Sequence, residues 1–390
     1  MPAPLLKEAR NLQKQLSAWR RHFHQHPEIG FEEKHTARYI RRVLRKLGLR
    51  PRSPVIKTDV VADLAARRAT KTVALRADID ALPVQELGRS AYRSRNPGVA
   101  HLCGHDAHTA MLLGAAALLK GHHDQLEVNV RFLFQPAEER PPGGAQALVE
   151  AGVLDDVDEI FALHVDSSLP LGCVSSCAGP IMAAADGFEA RLVGRGGHAA
   201  SPHRNRDPVP AAAQAVLALQ TIASRCTNPT EPVVVSVCVL EAGTAFNVIP
   251  EQVTLRGTVR TVTKRHRQAV PRLMRRILSG VARSAGIRAE LDYNFYYPVS
   301  SNHAASVEFV ADTARQLTGR RSAYRQAEVR MGAEDFSLYL EKTTGAFAFL
   351  GTRSKAKRTQ ANHHNPHFDI DERALPLGAA LLASLALNRR

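Results

Sequence analysis

The stretch that most restricts this chain is His101-Leu-Cys-Gly-His-Asp-Ala-His108, which sets a thiol, three imidazoles and a carboxylate within eight residues. Residues 110–119 follow as an almost unbroken apolar run, rich in Ala and Leu and poor in β-branched side chains. Such a run predicts a buried helix. The polar octet then falls on the loop and first turn of that helix, where free N–H groups and the helix dipole favour a thiolate over a thiol. Thiolate and neutral imidazole are good ligands for a borderline-soft divalent metal. Cys103 and His105 are therefore the first candidate metal ligands. For either residue alone, a buried cysteine or a helix-capping histidine is the plainer reading; the density of donors favours metal. His101 and His108 are expected behind the ligands or facing solvent.

The totals narrow the class. A chain of 390 residues is long enough for about two domains, each with its own core. Its formal net charge of +15 raises the question of an acidic partner. The charge is spread through the chain, however, and short clusters such as Arg41-Arg42 and Arg275-Arg276 lie on patterns that also carry apolar residues. These read as solvated helix faces, and an aromatic share of 5% offers little for stacking on bases. Neither a nucleic-acid nor a membrane partner is expected. The cysteines, at 103, 173, 177, 226 and 238, form neither a disulfide framework nor a zinc ribbon. No signal-peptide core opens the chain, and no apolar run has the roughly 20 residues needed to cross a bilayer. The expectation is a soluble, reduced, cytoplasmic protein.

Helical patterns cover residues 5–24 and 32–47. Short apolar strands then alternate with helix or loop, and each runs into ionisable groups: 73–75 into Asp78 and Asp80, 128–134 into Glu138 and Glu139, 160–163 into His164. This is the pattern of a mostly parallel, covered α/β sheet, and such sheets bind ligands outside the carboxyl ends of their strands. Near residue 180 the pattern changes to strand 186–193, helix 209–224, strands 232–240 and 253–262, helix 266–285 and strand 288–297. That β-α-β-β-α-β order is the ferredoxin-like unit. Pro271 predicts a kink or a later start in the second helix. The α/β pattern resumes with helix 305–317, strand 346–350 and a closing helix from Pro376. The expected layout is an α/β domain over 1–182 and 299–390, interrupted by a smaller domain over 183–298.

Further groups of residues carry chemistry only in combination. Glu138 and Glu139 could be a helix's acidic first turn. Adjacent carboxylates also point apart, so one can bind metal while the other moves protons. His164 alone reads as a satisfied core residue, and His363-His364-Asn-Pro-His367 as a polar loop. Gly194-Arg-Gly-Gly-His198 lacks the phosphate-loop pattern and reads plainly as a hairpin. Arg260 is either a strand-surface charge or a fork for a substrate carboxylate.

Taken together these stretches resemble the aminoacylase-type dinuclear metallohydrolases, in particular the branch of hippurate hydrolases, N-acyl-amino-acid amidohydrolases and indole-3-acetyl-amino-acid hydrolases. The resemblance runs in order through His26-Pro-Glu28, Ala74-Leu-Arg-Ala-Asp78-Ile-Asp80, the octet, Phe134-Gln-Pro-Ala-Glu-Glu139, Ala162-Leu-His164 and Gly196-Gly-His198. It continues through Asn247-Val-Ile-Pro250, Gly332-Ala-Glu-Asp-Phe336 and His364-Asn-Pro-His-Phe368. It implies a zinc-peptidase-like catalytic domain carrying an inserted lid that forms a homodimer or higher homo-oligomer. It implies two divalent ions (Zn, Mn, Co or Ni), bridged by Cys103, with His105 and His164 on one and Glu139 and His364 on the other. Glu138 would be the general acid/base, Asp78 and Asp80 would orient ligands, and His198 would reach a partner's active site. Asn247 and Arg260 would line the wall that binds an N-acyl amino acid. Within the same chemistry a dipeptide, an acetylated (di)amino-acid intermediate or an N-carbamoyl compound is the alternative substrate, and a basic nucleic-acid-binding protein with a structural metal is the remote one. Three departures stand out: the doubled His363-His364, Cys238 where a small residue is expected, and a basic loop at 353–358.

Overall fold

The computed structural model describes residues 4–355 and 359–390, so part of the basic loop lies outside the described residues. Two compact units emerge: Met1–Ile181 with Ser301–Glu328 and Asp335–Arg390, and Met182–Ser300 with Val329–Glu334. Among the described residues no helix is long and apolar enough to cross a membrane.

The first unit is built on a seven-stranded sheet. Its central strands, Asn129–Gln135, Thr72–Asp78, Glu159–Pro170 and Thr344–Arg353, run parallel to one another. Val60–Leu64 adds an antiparallel edge, and Val174–Ser176 is antiparallel to Thr344–Arg353. The sheet is thus mostly parallel, as the strand spacing predicts. Thr72–Asp78 is buried at every position, which is how a strand covered on both faces reads.

The apolar run after the octet forms the helix His105–Gly121, which is buried along almost its whole length. It packs with the closing helix Leu375–Leu387 in the same core cluster. The two approach so closely that a Cβ on Gly378 would lie 2.0 Å from the Met111 sulfur. The predicted first helix is two, Pro4–Asn11 and Gln13–Gln25.

Register brings the chemical residues to one level. Asp78 is paired with Gln135, and Arg76 with Ala162, so His164 stands level with Asp78 two residues further on. Here the structure corrects the sequence reading: His164 is not past a strand end, because its strand continues to Pro170, paired with Thr344–Arg353. The first two strands do stop at this level. Their chains turn away after Asp78 and Gln135 and leave His164 projecting beside them.

The second unit is a four-stranded antiparallel sheet in the spatial order Arg288–Tyr297, Ala184–Val193, Gln252–Thr261, Val233–Ala242. Helices Pro208–Leu219 and Lys264–Ser284 share one core with Phe188, Ala190, Leu192, Val253, Leu255 and Val259. Side chains alternate along a strand, so the opposite face carries Glu189, Arg191, Arg256 and Glu290, joined by ion pairs along one strand and across to its neighbours. The later helix start expected at Pro271 does not occur: the helix begins at Lys264, where the Thr263 hydroxyl accepts from His266 N–H. Cys238 is exposed on the edge strand Val233–Ala242.

Candidate metal centre

Gly104 carries the sharpest local constraint. It is the N-cap of the His105–Gly121 helix, with φ +94°, a left-handed conformation that suits glycine. The bend leaves Cys103 on the loop and His105 on the first helical turn, both buried.

Each ring is oriented by what its other nitrogen does. The His105 Nδ1 lies 3.0 Å from the Asp80 carbonyl oxygen and 3.2 Å from its Oδ1. Donation to these acceptors directs Nε2 into the site, where it is buried and makes no hydrogen bond among the described residues. The His164 Nδ1 donates to the Val165 carbonyl at 2.7 Å, which leaves Nε2 3.5 Å from the Cys103 sulfur. His108 differs: its Nδ1 meets Asp78 Oδ1 at 2.6 Å, and its Nε2 accepts from Val165 N–H at 2.8 Å. Both its nitrogens are used, so it supports the site without a free lone pair. His101 and His108 are buried rather than solvent-facing, which corrects that alternative.

The carboxylates come from the next turn. Glu139 N–H donates to Asp80 Oδ2 at 3.0 Å, and Glu139 Oε1 lies 3.0 Å from His364 Nε2. His364 has φ +66° and accepts exposure at the rim, whereas His363 stacks on His164 at 5.1 Å between ring centres. The donor atoms of Cys103, His105 and His164 lie within 4.8 Å of one another, as do those of Cys103, Glu139 and His364. A third group joins His105 with Glu138 and Glu139. Cys103 is common to the first two groups, and Glu138 belongs to neither.

Electrostatics bear on whether cations fit. Burial pushes the Cys103 thiol well above its usual range, and Glu139, Glu138 and Asp78 push it further. The helix-end preference for a thiolate expected from sequence is therefore outweighed by burial and by three nearby acids. Burial also opposes charge on His105, yet Asp78, Asp80 and Glu139 outweigh it and lift its pKa to about 10. The carboxylates that hold a proton on Nε2 would equally hold a cation in its place. Burial, reinforced by His108 and His363, keeps His164 neutral and able to ligate. The donors thus fit a pair of divalent cations sharing the sulfur.

Sequence reasoning missed the residues behind these donors. Arg76 is buried in its strand and binds Asp78 at 2.7 Å and Asp335 at 2.9 Å. Arg20 and His24 both bind Asp106, each at 2.8 Å. A lone arginine inside an apolar strand is a legible signal, because a buried charge must be paired. Arg20 gives no such signal within its amphipathic helix.

In the second unit His198 and Asn247 come together on a two-stranded ribbon, Gly197–His198 against Val248–Ile249. Ala199 N–H donates to the Asn247 carbonyl. Ala200 N–H donates to His198 Nδ1 at 3.0 Å, so the neutral ring carries its proton on Nε2. Both side chains are exposed, and between Asn247 and the strand end Phe246 is fully exposed. Arg260 lies on the four-stranded sheet, opposite Ala185, half-buried. Burial lowers its pKa while Asp186 opposes the shift.

Known proteins match this chain in sequence and in fold. Residues 74–388 match the family described as peptidase family M20/M25/M40. The chain is 42% identical over 374 residues to the IAA-amino acid hydrolase ILR1-like 4 of Arabidopsis thaliana, covering 94% of this chain and 84% of that protein. It is 41% identical over 369 residues to the N-acetylcysteine deacetylase of Bacillus subtilis, covering 94% and 95%. Among solved structures, the Bacillus subtilis YXEP protein, described as a dinuclear metal binding peptidase from the M20 family, superposes with a TM-score of 0.86. That likeness covers 97% of this chain and 98% of the other, at 38% identity. With a sulfur shared by two donor groups, and a family match running from the strand that carries Asp78 through the last helix, the chain belongs to peptidase family M20/M25/M40.

Proposed function

We propose that this protein is a dinuclear metal-dependent amidohydrolase that cleaves the amide bond of N-acyl-L-amino acids to a carboxylic acid and a free amino acid. The observation that carries the reading is the donor arrangement: Cys103 belongs both to the group with His105 and His164 and to the group with Glu139 and His364, and Glu138 is a buried acid beside these two groups that belongs to neither of them. The names of the relatives, an indole-acetyl amino-acid hydrolase and an N-acetylcysteine deacetylase, support the substrate class.

In this reading His105 and His164 would hold one ion and Glu139 and His364 the other, with the Cys103 sulfur available to both. When bound, the two divalent cations supply Lewis acidity, which lowers the pKa of an attacking water from 15.7 to about 7. Glu138 takes a proton from that water and returns it to the leaving nitrogen. The carbonyl carbon gains a C–O bond and loses its C–N bond. Asp80 keeps His105 in the tautomer that leaves Nε2 free, and Asp78 braces His108 beside it. The partner subunit's His198 donates a hydrogen bond from its Nε2–H to the developing oxyanion and keeps its proton, and Asn247 with Arg260 meets the amino-acid carboxylate.

Dimerisation through the inserted unit is part of the proposal. Its sheet ends at the ten-residue strand Val233–Ala242, which exposes Leu240, and the helix Pro208–Leu219 exposes Leu217 at 73%. A long apolar edge strand is a template for another chain, here a second copy. Five free cysteines suit the reducing cytoplasm, where we place the enzyme.

The test is a screen of N-acetyl, N-benzoyl and indole-acetyl amino acids with protein loaded with Zn, Mn, Co or Ni. Equimolar release of acid and amino acid, abolished by chelation and restored by metal, is expected. Hydrolysis that survives exhaustive chelation contradicts the proposal.

A further inference from the structure

The turn that delivers Glu138 is held in an unfavourable shape. Between Gln135, the end of its strand, and Glu139, the chain passes through Ala137 at φ +54°, a left-handed conformation that L side chains rarely adopt. Something must hold it there. Ala137 N–H donates to Glu33 Oε1 at 2.9 Å, and Glu139 N–H donates to Asp80 Oδ2 at 3.0 Å. Glu138 sits between these two anchored amides.

We propose that Glu33 is a positioning residue for catalysis, which with Asp80 clamps the turn on either side of Glu138 and so fixes the direction of its carboxylate. The inference rests on the reading of Glu138 as the acid/base.

Three observations separate this from an ordinary helix-end acid. Glu33 occupies the N-cap position of the helix Lys34–Lys46, yet makes no capping bond. Glu28 does that work, accepting from the amides of His35 and Thr36 at 3.1 and 2.8 Å and from the Thr36 hydroxyl at 2.9 Å. Glu33 is instead fully buried, and its Oε2 makes no hydrogen bond among the described residues. Burial, with Asp80 nearby, raises its pKa to about 7. A carboxyl is an expensive group to bury if only packing were required.

The same segment presses on the turn directly. A Cβ on Gly30 would lie 3.1 Å from both Cα and Cβ of Ala137. Ala81 N–H donates to the Glu28 carbonyl at 2.8 Å, tying the segment to the residue after Asp80. The turn is therefore gripped by one continuous piece of chain and by the end of the Asp78–Asp80 stretch.

Removing the Glu33 acceptor lets Ala137 relax toward negative φ and moves Glu138, while Glu139 stays held by Asp80. A misplacement of about 1 Å can cost up to ~10²-fold in rate. Glu33→Ala is expected to lower kcat at least ~10-fold with KM and metal content unchanged. Glu33→Gln keeps an acceptor oxygen and is expected to recover most of the rate. A crystal structure of metal-loaded Glu33→Ala should show Ala137 released from its left-handed conformation. Wild-type kcat in Glu33→Ala, an equal loss in Glu33→Gln, or an unmoved Ala137 and Glu138 in those crystals overturns the inference. Should Glu33→Ala fail to fold, Gly30→Ala pushes on Ala137 from the same segment and should give the same selective loss of kcat; an unchanged kcat there counts against the clamp. If the wild-type protein hydrolyses no acyl amino acid, the functional reading fails, and the crystal structure still decides the clamp.

Discussion

Replacing Gly104 by alanine perturbs the metal centre without removing a donor. The position has φ +94°, which costs an L residue about 1–2 kcal/mol. The new Cβ would lie 2.2 Å from Val165 Cγ2 and 3.6 Å from Phe368 Cζ. Val165 is fully buried, so the clash cannot be relieved into solvent, and overpacking of this kind costs about 1–3 kcal/mol. Together the variant should lose about 2–5 kcal/mol of stability. The displacement also reaches the chemistry: Val165 follows His164, accepts from its ring, and donates its own N–H to His108. Metal affinity should therefore fall at least ~10-fold, the usual scale when the support of a metal ligand is disturbed. Chemical denaturation and competitive metal titration measure the two effects. Adding Val165→Ala relieves the clash but not the backbone cost, so the double variant should be less destabilised than the sum of the singles. Wild-type stability with undiminished metal affinity in Gly104→Ala would refute the reasoning.

Four further outcomes are expected. Glu138→Gln should keep its metal and lose at least ~10²-fold in kcat, measured with metal content on the same sample; a near wild-type rate rules out the acid/base role. Cys103→Ser should lose most bound metal by elemental analysis, and a full complement contradicts the shared-sulfur assignment. His24 is buried, which opposes its charge, but hydrogen bonds with Asp106 and Glu86 outweigh burial and raise its pKa from 6.5 to about 9. A raised value in the folded state means that the stabilisation is complete below pH 6.5 and is lost as pH rises through about 9. Thermal unfolding of His24→Gln should therefore show a weaker fall in stability over that window than the wild type; identical slopes remove His24 from the account. Leu240→Glu on the exposed edge strand should shift a dimer toward monomer in light scattering, and an unchanged dimer moves the interface elsewhere.

Much of the first unit is legible in the sequence because burial on both faces makes strands such as Thr72–Asp78 mostly apolar, with Arg76 the one charge inside the run before Asp78. The apolar run of His105–Gly121 is equally plain, since it is enclosed on all sides. Cys103 and His105 stand out in the sequence through the density of donors around them, whereas His164 and His364 read locally as a core residue and a polar loop and join the set only through the family resemblance. What the sequence hides is of two kinds. One is register: His164 is mid-strand, and only its pairing with Thr344–Arg353 shows that the strand outruns its neighbours. The other is support across long separations. Arg20 meets Asp106, Asp369 and Glu372 in one buried cluster, and Glu33 meets Ala137, yet each reads locally as a helix-surface charge. Pro271 does not delay the helix start, because a helix of 21 residues packed along one face tolerates a missing amide hydrogen bond.

At the metal centre one sulfur is proposed to serve two ions. Anomalous diffraction from crystals of zinc-loaded protein tests it directly. Two peaks per chain are expected, each about 2.3 Å from Cys103 Sγ, one beside His105 and His164 and the other beside Glu139 and His364. A single peak, or two of which either lies out of reach of Cys103, contradicts it.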